Sequence, residues 1–295
     1  DGQVISFSKE IKAKEVVGSL VGKCLSDALV ERGWNRPEKI VLMNDTTAAL
    51  LAGASNATEG RAYSSYVGFI LGTGMNTAYI ESSPIGKIDM SKAPKSQIVV
   101  CESGMYNKIS RSEFDLDFDK TTNTPNRYVM EKMCSGAYLG PVSTLVVKAA
   151  IEDGLFSKGF ASAFDSLKSG FELVDMDRFL YAPYRTDTVL GAVAAKGTQD
   201  DYDLLFALLD AVIERAARNA SALIAAAVIK SGKGYQPSLP VSVLCNGTTF
   251  YKTHNLLPRI KGYLNQVLTQ ERHIYFDIVS LDNDITLGTA IGALV

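Results

Sequence analysis

The chain has 295 residues, enough for one large domain or two ordinary ones with a sizeable buried core. Its 30 basic and 32 acidic residues nearly balance, which argues against nucleic acid or an anionic membrane as the main partner. No apolar run has the length of a membrane span, and the sequence shows no signal-peptide pattern. The four scattered cysteines form no Cys-x-x-Cys pair, which is typical of reduced thiols in a cytoplasmic protein.

The first 43 residues predict a strand, a helix and a second strand. Gln3–Ser8 alternates loosely between polar and apolar residues, and Glu15–Arg32 has its apolar residues on one helical face. Ile40–Met43 is a short apolar run that predicts a buried strand. A strand–helix–strand order is typical of a crossover unit, so this part of the chain predicts an α/β fold.

The middle of the chain predicts a hairpin and a further strand. Ser65–Leu71 is an apolar strand that turns through Gly72-Thr73-Gly74 and returns as a second strand over Asn76–Ile80. Gln97–Cys101 predicts another buried strand. Arg111–Arg127 has acidic residues at alternate positions but lacks the glycine and final glutamate of a calcium loop, so we predict a solvated surface segment.

The second half predicts three helices and two strands. Asn126–Ala150 predicts one long helix, and Asp200–Lys230 has the most sustained 3.6-residue periodicity in the chain. Val241–Cys245 and Ile274–Val279 predict strands, and Gly288–Val295 predicts the beginning of a final helix. The alternation of strands and helices again favours an α/β protein.

Asp45 directly follows the apolar run at 40–43 and precedes an alanine-rich helical pattern. Asp45 or Thr46 at such a position is usually a helix N-cap, and the stretch alone favours this interpretation. A carboxylate at the carboxyl end of a strand also lies where open α/β sheets bind ligands. Both roles therefore remain open at this point.

Three predicted turns have the same pattern, in which an apolar strand is followed by small hydrogen-bonding residues. They are Asn44-Asp45-Thr46, Gly72-Thr73-Gly74 and Asn246-Gly247-Thr248. Glycine turns allow backbone amides to approach phosphate oxygens, and threonine adds a hydroxyl donor. Together they indicate a nucleotide phosphate site, with ordinary α/β loops as an equal alternative. Neither a P-loop nor a dinucleotide-binding glycine motif occurs, which argues against those two classes.

Two carboxylates and two histidines remain to be interpreted. Glu102 follows a predicted strand and Glu131 lies in a predicted helix, where each has the acceptor oxygens that sugar hydroxyls need. The alternatives are a solvated strand end for Glu102 and a salt bridge with a neighbouring lysine for Glu131. His254 and His273 are isolated, so we predict that they are structural and that the chain has no metal site of its own.

Five segments carry motifs: Asp1-Gly2 with Phe7-Ser8-Lys9; V-L-M-N-D-T-T-A-A-L at 41–50; F-I-L-G-T-G-M-N-T-A-Y-I-E at 69–81; Y-V-M-E-K-M-C-S-G-A-Y-L-G at 128–140; and N-G-T-T-F-Y-K-T-H at 246–254. In this order they resemble D-G…W-T-K-G-F, L-V-N-D-T, I-x-G-T-G-x-N-A-C-Y-x-E, F-E-K-M-I-S-G-M-Y-L-G and D-G-S-x-Y-K-x-H-P of the hexokinase family. That family comprises ATP-dependent sugar kinases. The resemblance extends over nearly the whole chain.

The resemblance implies an α/β fold of the actin-like ATPase, or RNase H-like, class with two lobes. It implies that residues 1–45 are a remnant of the small lobe and that 46–285 form the large lobe with the sugar- and nucleotide-binding loops. Residues 286–295 would begin a C-terminal helix that returns toward the small lobe. The family's D-x-G-G-T-N and S-F-P stretches do not occur here. We therefore expect an N-terminally truncated chain that is inactive alone, because lobe closure completes such sites.

The resemblance also implies a role for individual residues. Asp45 would be the general base that takes the proton of the hexose 6-hydroxyl as this oxygen attacks the γ-phosphorus of ATP. The implied sugar-binding residues are Ser8, Lys9, Asn44, Asn76, Glu102 and Glu131. The implied nucleotide-binding residues are Gly72, Thr73, Gly74, Gly136, Ala137, Gly247, Thr248 and Thr249. The segment Asp177–Tyr181 corresponds to a further nucleotide-contacting stretch of the family, but its match is poor. Glucose is the expected hexose, and Mg²⁺ would bind mainly through the nucleotide.

Three residues depart from the family pattern: Glu10 replaces a glycine, Ser103 a tryptophan and Asn246 an aspartate. They leave open a non-catalytic sugar-binding sensor or regulator. Another kinase of the same superfamily, acting on a different sugar or acid, is a further alternative. The presence of Asp45 favours catalysis over sensing, and the implied sugar-binding set favours a hexose.

Overall fold

The computed structural model describes residues 1–7, 13–55, 60–89, 91 and 95–294. Within them, one mixed sheet organises the chain, and its strands lie in the order β3-β2-β1-β4-β5. The strands are β1 (Ser65–Leu71), β2 (Met75–Glu81), β3 (Gln97–Val100), β4 (Val241–Asn246) and β5 (Phe276–Val279). The β1–β2 and β2–β3 pairs are antiparallel, whereas β4 is parallel to both β1 and β5. The carboxyl ends of β1, β4 and β5 therefore meet at one edge.

Helices cover both faces of the sheet. They are α1 (Val21–Glu31), α2 (Asp45–Ser55), α3 (Glu113–Thr121), α4 (Val129–Cys134), α5 (Gly136–Glu152), α6 (Lys158–Asp165), α7 (Leu173–Tyr181), α8 (Val189–Ala194), α9 (Gln199–Lys230), α10 (Thr248–Lys252), α11 (Leu256–Leu264) and α12 (Asp284–Leu294). Short 3₁₀ turns occupy Lys14–Val16 and Ser103–Met105, and a π-helical turn follows α11 at Asn265–Gln270.

Helix α2 is held between β1 and α12 at two glycines. A Cβ atom on Gly68 would lie 2.7 Å from the carbonyl oxygen of Thr46, so only glycine allows β1 to approach the first turn of α2 this closely. On the other side of α2, a Cβ atom on Gly288 would overlap the carbonyl group of Ala48. These two contacts fix the start of α2, and with it Asp45, against the sheet.

The opposite face of the sheet packs on α9. Val67, Phe69 and Leu71 point to this side and join a core that includes Leu205, Leu209 and other apolar residues of α9. Thr198 begins α9 with a capping box that it forms with Asp201. The predicted helix over Asp200–Lys230 is confirmed, as are the β1–β2 hairpin and the strands β4 and β5.

The two N-terminal strands were wrongly predicted. Within residues 1–7, Gln3 forms one isolated bridge with Leu20, and Ser8 lies outside the described residues. The segment Ile40–Met43 is not hydrogen-bonded to any strand of the described chain, and the side chains of Val41 and Leu42 are exposed. An apolar run forms a buried strand only where a neighbouring strand pairs with it, and here the described residues provide none.

The first helix begins later than the predicted Glu15. Gly18 has a φ of +92° and its amide donates to the carbonyl oxygen of Val4, which interrupts the helical pattern. The helix starts at Val21, where the carboxylate of Asp1 accepts hydrogen bonds from the amides of Gly22 and Lys23 at 2.7 and 2.8 Å. A carboxylate at this end complements the helix dipole.

Most residues of Arg111–Arg127 are exposed or half-buried, as predicted, but the segment contains α3, which is capped by Ser112. Asp115 and Asp119 are buried there, and they form ion pairs with Arg215 at 2.8 Å and Lys132 at 2.5 Å. The local sequence does not reveal these ion pairs, because the two cations lie 13 and 100 positions further along the chain.

Three other boundaries differ from the predictions. The long helix over 126–150 is divided into α4 and α5, because Ser135 is extended and the Gly136 amide donates to the carbonyl oxygen of Gly72. Strand β3 is half-buried rather than buried, since it forms the edge of the sheet. The last helix begins at Asp284, four residues before the predicted Gly288.

Candidate active site

Two cavities meet at the turn between β1 and β2. The smaller cavity, of about 440 Å³, is lined by Asn44, Asp45, Ile70, Thr73, Gly74, Met75, Asn76, Glu102, Gly104, Met105, Tyr128 and Glu131. The larger cavity, of about 1310 Å³, lies beyond the ends of β4 and β5 and includes Gly72, Gly136, Ala137 and Gly247–Thr249. Thr73 lines both cavities, so the hairpin turn is where they join.

The start of α2 places two polar side chains in the smaller cavity. Asn44 precedes the first helical residue, and its side-chain oxygen accepts a hydrogen bond from the Thr46 amide at 2.9 Å. Asn44 therefore holds the N-cap position that the sequence assigned to Asp45 or Thr46. Asp45 is the first residue of α2, and its Oδ1 also accepts the Thr46 amide, at 2.8 Å. Its carboxylate is exposed to solvent in the cavity.

Glu102 is fixed by its neighbours on β2. The Nδ2 group of Asn76 donates to Oε1 of Glu102 at 3.2 Å, and Oδ1 of Asn76 accepts the Ser103 amide at 3.3 Å. Glu102 has a φ of +48°, a backbone conformation that non-glycine residues adopt only where the surroundings enforce it. Ser103, which departs from the family pattern, is buried, and its hydroxyl lies 2.9 Å from that of Thr77. The serine at this position is therefore accommodated by a hydrogen bond with the Thr77 hydroxyl.

Glu131 joins the hairpin to the opposite side of the smaller cavity. Its side chain is buried in α4, and Oε2 accepts the Met75 amide at 2.9 Å. A Cβ atom on Gly104 would lie 2.8 Å from the Met75 carbonyl oxygen, so the turn at 103–105 packs closely on the same point. The neighbouring Lys132, which the sequence offered as a salt-bridge partner, instead contacts Asp119.

On the nucleotide side, three backbone turns pack directly on one another. The carbonyl oxygen of Gly72 accepts the Gly136 amide at 2.8 Å and the Thr249 hydroxyl at 2.9 Å. A Cβ atom on Gly136 would overlap the Thr249 hydroxyl, and one on Gly247, at φ +120°, would overlap the Leu71 carbonyl group. Two of these glycines are thus required by close approach, and they form the edge of the larger cavity.

The asparagine at 246 is paired with a buried acid that the sequence did not reveal. Its Nδ2 group donates to Oδ1 of Asp284 at 2.6 Å, and the same oxygen accepts the Ile285 amide at 2.7 Å. A second carboxylate at position 246 would lie against the buried Asp284 carboxylate and repel it. The departure of Asn246 from the family pattern is therefore compensated locally.

The far side of the larger cavity includes residues of the segment Asp177–Tyr181, which matches the family's nucleotide-contacting stretch only poorly in sequence. Helix α7 and the loops beside it contribute charged and aromatic residues here, namely Glu172, Asp177, Arg178, Tyr181 and Arg185, and the end of α10 contributes Lys252. Oδ1 of Asp177 accepts the His254 amide at 2.9 Å, and burial raises the pKa of this carboxyl to about 6. The ring of His254 meets the edge of Tyr181 with centroids 4.9 Å apart, and burial lowers the pKa of the imidazole.

We expect Asp177→Asn to stabilise the chain at neutral pH. The folded-state pKa of about 6 lies above the ordinary value near 4, so the native state is penalised once pH rises through this interval. The asparagine avoids the penalty and can still accept the His254 amide. The free energy of unfolding should rise by about 1–2 kcal/mol above pH 6, and the difference should vanish below about pH 4.

Urea unfolding across pH 4–8 measures this difference. Asp165→Asn, at an exposed acid on α6, is the matched control and should leave the curve unchanged. A pH-independent gain from Asp177→Asn would contradict the assignment to a titrating carboxylate.

Three of the sequence-derived positions fall outside this description. Ser8, Lys9 and the departure at Glu10 lie outside the described residues. Among the residues that are described, no group of three or more His, Cys, Asp or Glu side chains is arranged to hold a metal ion. Nor is any helix of that part of the chain both long and apolar enough to cross a bilayer.

Comparison with known proteins gives one family. The sequence model described as Hexokinase matches residues 66–295. Hexokinase-1 of Schizosaccharomyces pombe (strain 972 / ATCC 24843) is 27% identical over 280 residues, which are 90% of this chain and 54% of that protein. The chain thus spans about half the length of this curated relative.

Solved structures show the same fold. A hexokinase from Schistosoma mansoni complexed with glucose superimposes with a TM-score of 0.72 at 20% identity, covering 98% of this chain and 66% of that one. A ROK family glucokinase from Streptomyces griseus in complex with glucose and AMPPNP gives a TM-score of 0.51 at 15% identity, covering 98% and 76%.

The sheet order, the helices on both faces and these likenesses define an actin-like ATPase fold, as the sequence predicted. Since the family model matches more than three quarters of the residues, the chain belongs to the hexokinase family.

Proposed function

We propose that the protein to which this chain belongs transfers the γ-phosphoryl group of ATP to the 6-hydroxyl of a hexose, with glucose preferred. The observation that carries the proposal is the junction of two cavities at Thr73. One is small and lined by carboxylates and amides, and the other is large and edged by glycine turns. A phosphoryl donor and an alcohol acceptor would meet at this junction.

The smaller cavity suits a polyhydroxylated ligand. Asn44, Asn76, Glu102 and Glu131 contribute both amide donors and carboxylate acceptors, which adjacent hydroxyl groups can satisfy at the same time. The hydrogen bonds of Asn76 and Glu131 to neighbouring backbone and side chains hold these groups in place before a ligand arrives. Such preorganisation lowers the entropic cost of binding.

Asp45 would accept the proton of the attacking hydroxyl. Phosphoryl transfer depends mainly on positioning and on neutralisation of the charge that develops at the phosphoryl oxygens. The carboxylate lies at the start of a fixed helix in the same cavity as Thr73, so a hydroxyl bound there would lie between base and phosphate. Magnesium bound to the nucleotide would neutralise part of the phosphate charge.

The larger cavity would hold the nucleotide. Thr73, Thr248 and Thr249 provide hydroxyl groups, and Gly72, Gly136, Ala137 and Gly247 provide backbone along its edge. Gly74 would contact the phosphate from the turn, on the side of the smaller cavity. Arg178, Arg185 and Lys252 line the same cavity and would attract the phosphate chain. The ring of Tyr181, largely exposed, offers a face for the base.

We propose the same division of the chain that the resemblance implies. Residues 1–45 would be part of a small lobe, 46–285 the large lobe, and 286–295 the start of a helix that returns to the small lobe. The exposed apolar side chains of Val41 and Leu42 support the first assignment, since a lobe would cover them. A cytoplasmic enzyme of sugar metabolism fits this proposal.

The test is calorimetric titration of the 295-residue chain with glucose and with a non-hydrolysable ATP analogue, beside hexose-dependent ADP formation by the natural protein that contains it. Glucose binding with turnover supports the kinase. Glucose binding without turnover in the natural protein would favour a sugar sensor instead. Turnover on a non-hexose acceptor alone would refute the substrate assignment, and an absence of any sugar binding by the natural protein would refute the proposal as a whole.

A further inference from the structure

Lys132 stands next to Glu131 but points away from the smaller cavity into a buried pocket. Its side chain is 5% exposed, and Nζ donates to Oδ1 of Asp119 at 2.5 Å, to the Thr122 hydroxyl at 2.8 Å and to the Thr124 carbonyl oxygen at 2.7 Å. These three bonds use all three donors of the ammonium group. The buried charge is therefore fully paired.

Asp119 connects this ammonium group to the loop that leads into α4. Its Oδ2 accepts the Asn126 amide at 2.7 Å and lies 3.4 Å from Arg111. Burial alone would raise the pKa of Asp119, but the hydrogen bonds from Lys132 and Asn126 and the charges of Lys132 and Arg111 outweigh it and lower the pKa. The carboxylate thus remains ionised as the partner of Lys132.

The loop held in this way has an unfavourable backbone. Tyr128 has a φ of +55°, in the left-handed region that a bulky side chain rarely adopts, and Asn126 has a φ of +62°, which asparagine tolerates better than most residues. Tyr128 precedes the first residue of α4 and lines the smaller cavity together with Glu131. The conformation of this loop therefore determines where two of the cavity's side chains lie.

A buried ion pair is weak support for stability, since apolar residues of similar volume often replace it without loss. Its value here is geometric, because every one of its bonds, apart from the long contact of Asp119 with Arg111, ends in the 122–126 segment or in α4 itself. We propose that Lys132 and Asp119 are positioning residues that hold Tyr128 and Glu131 in the geometry that the hexose requires. This inference rests on the proposed function. In it, Lys132 acts through Tyr128 and Glu131 and does not contact the sugar.

The test compares two paired substitutions in the natural protein. Lys132→Met with Asp119→Asn removes the ammonium group without leaving a buried charge unpaired. Arg215→Met with Asp115→Asn is the matched control, because it removes another ion pair of α3, with a buried carboxylate and a half-buried guanidinium group, that has no bond to the 122–126 segment. The measurements are KM for hexose and for ATP, kcat, and hydrogen exchange of the amides at 124–130.

We expect KM for the hexose to rise about tenfold in the Lys132 pair, with KM for ATP within about twofold of the wild type. The amides at 124–130 should exchange faster. The control pair should leave hexose KM unchanged. If the Lys132 pair does not fold, Thr122→Val removes one acceptor without touching a charge and should raise hexose KM about threefold.

Unchanged hexose KM in the Lys132 pair or in Thr122→Val, beside normal binding by the wild type, would overturn this inference alone. An equal rise in the control pair would assign the effect to general destabilisation and overturn it as well. A wild-type protein that binds no hexose would overturn the inference together with the proposed function.

Discussion

Replacing Asp45 by asparagine in the natural protein is expected to lower kcat by about a thousandfold. The asparagine is isosteric, and its side-chain oxygen can still accept the Thr46 amide that Oδ1 of Asp45 accepts now. Only the capacity to take a proton is lost. Glucose affinity should therefore stay within a few-fold of the wild type, so that the change falls on kcat rather than on KM.

Steady-state kinetics with glucose and ATP measure this effect. Asp153→Asn is the matched control, since Asp153 is an exposed acid after α5 that lines neither cavity. A kcat that falls less than about tenfold would mean that Asp45 is not the general base. A large rise in glucose KM at constant kcat would instead make it a binding residue.

Replacing Gly247 by alanine is expected to have the second large effect. It should lower the free energy of unfolding by about 3 kcal/mol. At φ +120° and ψ 140° the backbone is in a region that only glycine occupies with ease, and the new Cβ would overlap the Leu71 carbonyl group. Relief of that overlap must displace the β4–α10 turn from the end of β1. Affinity for an ATP analogue should fall together with stability.

Gly154→Ala separates strain from overlap. Gly154 also has a positive φ, +73°, but its Cβ would have no atom within 4 Å. We expect this control to cost about 1 kcal/mol and to leave nucleotide affinity unchanged. Urea unfolding and calorimetry measure both quantities. If both substitutions lowered the free energy of unfolding equally, the close approach of Gly247 to Leu71 would contribute nothing to stability.

The parts of the fold that sequence predicts well are those whose pattern is local. The β1–β2 hairpin has a glycine turn between two apolar strands, and α9 repeats its apolar residues over many turns. The segment at 40–43 has an equally apolar pattern, yet it forms no strand in the described chain. A strand depends on a partner, which lies elsewhere in the sequence or outside it, and periodicity carries no information about that partner.

The difference between local and distant signals also explains which residues of the candidate site the sequence predicts. Asp45, Thr73, Asn76 and Glu102 lie at or beside strand ends or helix starts, where sequence marks both the element and its polar residue. The α7 side of the larger cavity is marked only by a poor match to the family pattern, because Asp177 and Arg178 lie within an ordinary amphipathic helix. Asp284 was missed for a related reason, since its significance depends on Asn246, 38 positions earlier.

The glycine contacts on either side of α2 have a consequence for engineering. A helix that touches backbone at both Gly68 and Gly288 cannot slide or rotate to suit a different acceptor without disrupting the sheet or α12. Altered sugar preference therefore has to be sought on the opposite side of the smaller cavity. There Glu102 and Tyr128 have left-handed backbone conformations, so substitutions beside them can change the path of the loop. Libraries of loop variants at 102–105 and 122–128 are therefore the first to screen for altered sugar preference.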